Sequence, residues 1–198
     1  MQWLRIVCLL IFSSLAVAQP ITQGQSQYRL LEFKDGLPNP IVAAIAQDRA
    51  GYIWVGTKDG LARYDGKVFK VFRHLQGDAQ SLPSNFVQSI HIDAKDRIWL
   101  GIEGFGLYRF NRDNSSFTAI PLFAGKGSEP VDIWAISSDQ TGSIWLGTFG
   151  HGLFRIKPDD RVQHFMPTPH KTGLPDENVL SLAFDKQGFL WVATSSGL

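Results

Sequence analysis

Beyond an N-terminal leader, apolar residues come in short runs separated by Gly, Asp, Asn and Pro, and no stretch keeps an apolar stripe at helical spacing. The second unit shows the pattern. Val87–Ile92 predicts a first strand, Asp93–Asp96 a tight turn opened by an aspartate, and Ile98–Ile102 a second strand. Glu103–Gly106 then reads as a glycine-rich turn, Leu107–Phe110 as a third strand and Phe117–Ile120 as a fourth. The pattern recurs: Trp54, Trp99, Trp145 and Trp191 stand 45, 46 and 46 residues apart, each six residues after an aspartate (Asp48, Asp93, Asp139, Asp185). A period of this length filled with short antiparallel strands excludes helical solenoids and predicts the blades of a β-propeller. The fold class is therefore all-β, with about three complete four-stranded blades and part of a fourth, from repeats near 37–72, 82–120, 128–165 and 174–198.

The repeated positions have a structural reading. A Trp at the start of the second strand is large enough to fill the space between neighbouring blades, so Trp54, Trp99, Trp145 and Trp191 are expected as blade packing. Gly56, Gly101 and Gly147, two residues later, leave room for another backbone, and Ala193 takes that place in the fourth copy. Tyr28–Phe33 precedes Leu37-Pro38 as Val68–Phe72 precedes Leu82-Pro83, which predicts an orphan fourth strand able to close a ring. Three blades and a half leave a ring open, so the sequence is expected to be the N-terminal part of a longer protein.

Residues 1–18 add a location. Arg5, an apolar run from Ile6 to Ala16, and Ala16-Val17-Ala18 before Gln19 form the three parts of a secretory signal peptide. The run is too short to stay as a membrane span. Cys8, the single cysteine, lies within this leader, so the mature chain, residues 19–198, relies on packing rather than disulfides. The expected location is periplasmic or extracytoplasmic, anchored to the membrane through a C-terminal region outside this sequence. Lys and Arg number 19 against 18 Asp and Glu, which leaves no basic excess for nucleic acid.

Positions shared by the copies are explained by blade building, so a ligand should be met by positions that differ. The turns between second and third strands differ most: Lys58-Asp59, Glu103-Gly104-Phe105, Phe149-Gly150-His151 and Ser195-Ser196. The connections between blades bring Asn39, Asn85, Asp132 and Asn178 towards the same face. Candidate ligand contacts are Lys58, Asp59, Asn85, Glu103, Phe105, Asp132, Phe149 and His151, a set of polar and aromatic groups that suits a small molecule or a glycan. Catalytic readings are weaker. The five histidines gather no metal set, no G-x-S-x-G elbow occurs, and although Glu103, Asp59 and Asp132 could supply an acid and a base, nothing in their spacing requires it. No metal, no cofactor and no catalysis are expected from this segment.

These units resemble the two-component regulator propeller repeats. The first copy matches through Val42, Ile45, Asp48, Gly51, Ile53, Trp54, Gly56, Thr57, Gly60, Leu61, Arg63, Tyr64 and Asp65. Elsewhere Ile102 replaces the Thr, Asp96 the turn Gly, Ala193 the Gly, and Ile156 the aromatic Tyr. The resemblance, which covers residues 28–198, implies the periplasmic sensor of a membrane receptor. Its output would be a histidine kinase or a diguanylate cyclase further along the same chain, acting as a homodimer. Two other readings stay open: a secreted propeller enzyme, either a lyase or similar to quinone-dependent dehydrogenases, and a protein-interaction propeller.

Overall fold

The computed structural model describes residues 28–123, 131–168 and 173–198; the leader and His170 lie outside these. Fourteen strands follow one another: β1 (Val42–Gln47), β2 (Ile53–Thr57), β3 (Gly60–Tyr64), β4 (Phe69–Phe72), β5 (Val87–Ile92), β6 (Ile98–Ile102), β7 (Gly106–Asn111), β8 (Ser116–Ala119), β9 (Ile133–Ser138), β10 (Ile144–Thr148), β11 (Leu153–Ile156), β12 (Val162–Phe165), β13 (Val179–Phe184) and β14 (Leu190–Thr194). They form three four-stranded antiparallel meanders and one two-stranded sheet. The predicted strands of the second unit are found within one residue of their expected ends.

First strands of successive sheets lie side by side, β1 against β5, β5 against β9 and β9 against β13, so the sheets stack as propeller blades about their first strands. The core fills the junctions between blades. Trp54 and Leu61 of the first blade pack with Phe72, Leu82, Val87, Leu100 and Phe110. Trp99 and Leu107 of the second pack with Ile133, Leu146 and Phe154 of the third. Trp145 stacks on Phe165 at 5.9 Å and meets Phe184 of the fourth unit edge-on at 6.4 Å. Trp191 is 51% exposed, because among the described residues no further blade covers it.

Each first strand carries the same irregularity. The pairing of β1 with β2 shifts between Val42 and Ala44, that of β5 with β6 between Val87 and Ser89, and that of β13 with β14 between Val179 and Ser181. In the third blade Ile133 faces Thr148 while Ala135 faces Gly147. The second residue of each first strand, Ala43, Gln88, Trp134 and Leu180, is thus the extra residue of a β-bulge.

One expectation is corrected. Tyr28–Phe33 is not a strand: Tyr28–Glu32 has no regular structure and Phe33–Asp35 is a 3-10 turn. Local chemistry explains the turn, since the Asp35 carboxylate accepts from the Glu32 N–H at 3.0 Å and Gly36, at φ 98°, ends it. A fourth strand also needs a third to pair with, and among the described residues the β13–β14 sheet has none.

Candidate functional site

The face that carries the β2–β3, β6–β7, β10–β11 and β14-end turns is held together by a repeated set of backbone links. The N–H groups of Lys58, Glu103, Phe149 and Ser195 donate to the carbonyls of Ile41, Phe86, Asp132 and Asn178, the residues at which each blade begins. These bonds make Lys58, Glu103, Phe149 and Ser195 structurally equivalent. A second set crosses between blades: Gly60 N–H donates to the Asn85 carbonyl at 2.7 Å and Gly152 N–H to the Glu177 carbonyl at 2.8 Å.

The polar connection residues serve that network. Asp132 Oδ1 accepts from the Gly104 N–H of the preceding blade at 2.8 Å, and Asn178 Oδ1 does the same for Gly150 at 2.9 Å. Asn85 Oδ1 accepts from His74 N–H at 2.7 Å, and its Nδ2 donates to Asp59 at 3.3 Å. Asp59 is also paired with Arg73 at 3.1 Å. Asn39 folds back on its own loop, its Oδ1 accepting from Ile41 N–H at 2.8 Å. Asn85, Asp59 and Asp132 are therefore brought into the face, with part of their bonding capacity spent on fixing turns.

Exposed groups rise from this frame. Lys58 lies 5.4 Å over the Phe86 ring, Glu103 is exposed, and Phe105 and Phe149 are each about half-exposed. His151 turns back, its Nδ1 donating to the Phe149 carbonyl at 3.1 Å, while its own carbonyl accepts from His164. Phe105 borders two shallow clefts, one of about 400 Å³ towards Leu107, Ile120, Leu122 and Phe123, the other of about 420 Å³ towards His74, Leu82 and Pro83.

Sequence reasoning missed Trp134. It stands on the bulge of β9, is 39% exposed, and stacks on Phe149 at 5.1 Å with 15° between the rings. A signal was available: the bulge position reads Ala43, Gln88, Trp134 and Leu180, as variable as the turns that were singled out. Among the described residues no group of three His, Cys, Asp or Glu side chains is placed to hold a metal, and no helix is long and apolar enough to cross a membrane.

Comparison with known proteins adds a relationship. Over 82 residues, 41% of this chain, the sequence is 33% identical to histidine kinase P4 of Formosa agariphila, of which it spans only 6%. The fold superposes on the extracellular domain of a proposed hybrid two component system, BT3049, of B. thetaiotaomicron with a TM-score of 0.72 and 22% identity, covering 84% of this chain and 24% of that one. The extracellular domain of a proposed one component system, BT4673, of the same organism gives 0.70 and 22%, covering 85% of this chain and 22% of that one. A streptogramin B lyase structure shares the fold alone, at 15% identity and a TM-score of 0.57 over 82% of this chain and 54% of that one. Residues 36–59, 81–104 and 173–196 match the model of the two component regulator propeller. The third unit lies outside the matched residues yet folds into the same four strands with the same bulge and the same Asp-to-Trp bond. Three of the four units thus carry the two component regulator propeller repeat, and the third unit shares their fold.

Proposed function

We propose that this chain forms part of the extracytoplasmic, ligand-sensing propeller of a membrane signal-transduction receptor, of the histidine kinase or diguanylate cyclase type, and that the segment itself is not catalytic. The observation that carries the reading is the conjunction of the matched repeats with a fold shared by extracellular domains of proposed hybrid two component systems. The identity to a histidine kinase supports it from sequence. The exposed, non-repeating groups on the turn face supply the surface for a small-molecule or glycan ligand, and output domains in the same chain, paired as a homodimer, would receive the signal.

The location is the part to test first. Alkaline phosphatase fused after Leu198 is expected to be active in cells when residues 1–18 are present and inactive when they are deleted. Activity that is absent with the leader in place, or unchanged by its removal, would sink the extracytoplasmic reading.

A further inference from the structure

Across each first pair of strands the repeated Trp faces one residue: Ala46 faces Trp54, His91 faces Trp99, Ser137 faces Trp145 and Ala183 faces Trp191. Three of the four are small, as a place beside a large ring in a filled junction requires. His91 is the exception. The residue after this one is what the following blade brings to the junction: Ile92 packs against the core around Trp54, and the Phe184 ring meets Trp145 edge-on at 6.4 Å. Between the second and third blades that place is held by Ser138, so the chain departs from its own pattern on both sides of one junction.

The two departures meet. His91 Nε2 and Ser138 Oγ stand 2.9 Å apart, a hydrogen bond from β5 to β9, and both residues are half-buried. Ser89 also bonds across this junction, to the Ile133 carbonyl at 2.8 Å, but it carries no titrating group. Apolar side chains, Ile92 and Phe184, fill the corresponding place at the junctions on either side, and replacing a buried hydrogen-bonded pair by apolar groups of fitting shape is close to neutral or stabilising. The polar pair therefore adds nothing that packing could not supply, except the one property apolar side chains lack: a histidine changes its charge between pH 5 and 8.

We propose that the junction between the second and third blades is a proton-operated joint, closed while His91 is neutral and loosened once it takes up a proton, with the junctions on either side left as they are. The charged groups around His91 are Asp93 further along β5, Arg97 just before β6, which holds Asp93 at 2.6 Å, Arg109 on β7 beyond Trp99, and Asp139 after Ser138, itself paired with Arg155 at 3.0 Å. Burial holds the His91 imidazole below its ordinary range, and the Asp93 charge, which favours the imidazolium, is too weak to offset it. The unfolded chain therefore takes up this proton first. The contribution of His91 to stability is complete above about pH 6.5 and is lost as pH falls through the folded value. The joint is a property of the fold and stands independently of any ligand or receptor output.

Hydrogen exchange of the complete protein, corrected for the intrinsic rate at each pH, is compared at about pH 7.5 and about pH 5, where carboxylates of ordinary pKa are still mostly ionised. Protection in β5 and β9 is expected to fall several-fold at the lower pH, with β1 and β13 changed far less. His91→Gln keeps a hydrogen-bonding side chain that does not titrate in this range, and it is expected to abolish the fall. So is His91→Ala combined with Ser138→Ile, which copies the Ala46 and Ile92 of the first junction. Because His91→Gln changes the packing least, its result decides should the double variant not fold. No fall in the parent, a fall of the same size in a folded variant, or an equal fall in β1 and β13 would each overturn the joint.

Discussion

In the second unit Asp93 Oδ1 accepts from the N–H groups of Lys95 at 2.9 Å and Arg97 at 3.0 Å, which fixes the turn, and Oδ2 accepts from Trp99 Nε1 at 2.9 Å. The same bond joins Asp48 to Trp54 at 2.8 Å, Asp139 to Trp145 at 3.0 Å and Asp185 to Trp191 at 3.1 Å. The six-residue spacing was plain in the sequence, but its reason was not, because turn formation alone already accounted for an aspartate there. Without the carboxylate a buried indole N–H would lose its acceptor, a cost of about 1–3 kcal/mol. Arg155 adds a charge at 3.0 Å from Asp139, and Arg112 reaches across the first junction to Asp48 at 2.8 Å. Burial alone would raise the Asp139 carboxyl, but bonds from Thr141, Trp145 and Ser143 and the charge of Arg155 outweigh it and hold it down to about 2. Asp48 and Asp93 are lowered for the same kind of reason. A depressed carboxyl stabilises the fold above its unfolded pKa and loses that contribution as pH falls through the folded value, here from about 4 to about 2. For Asp139 the loss is roughly 2 kcal/mol, from nearly two pKa units. Urea denaturation at stepped pH should therefore show stability falling steeply below pH 4, with a shallower fall in Asp139→Asn; a profile flat from pH 5 to 2 would refute the account.

At the scale of strands, the glycine two residues after each Trp sets how near one blade comes to the next. A Cβ on Gly56 would stand 2.7 Å from the Val87 carbonyl oxygen, one on Gly101 2.6 Å from that of Ile133, and one on Gly147 3.0 Å from that of Val179. Each of those carbonyls belongs to the first strand of the following blade, so the sequence-based expectation of a close backbone approach holds at three junctions. Gly101→Ala should push β6 from β9 and cost about 1–3 kcal/mol, as overpacking in a filled core does. Thermal melting of the variant measures it, and an unaltered midpoint would mean the junction can give. Strand order and turns were legible because Val87–Ile92 or Ile98–Ile102 satisfies β-propensity, alternation and turn chemistry together. The bulges were not legible, because the extra residue needs only a backbone conformation and accepts Ala, Gln, Trp or Leu alike. That indifference hid Trp134 and left the candidate site half read. Tyr28–Phe33 failed for the opposite reason: its strand-like side chains were outweighed by the local Glu32–Asp35 cap.

Across the whole arc each blade touches only its neighbours, through β1 on β5, β5 on β9 and β9 on β13, so stability is set junction by junction as in other repeat proteins. The first and second junctions are closed by fully buried groups, including Trp54, Leu100, Ile133 and Phe154. The outward sides of the described arc are bare: Ile45 is 67% exposed on the first blade, and Trp191 is 51% exposed on the fourth unit. Covered on one side only, β1 and the β13–β14 pair should open with a smaller free energy than the strands between them. Hydrogen exchange on residues 19–198 alone is expected to show slowest amides in β5–β7 and β9–β11 and fast exchange in β1, β13 and β14. Adding a blade that covers Trp191 should slow β13 and β14 selectively and leave β1 unaltered. Uniform exchange along the chain would mean that the blades open as one unit and that the junctions are coupled rather than independent.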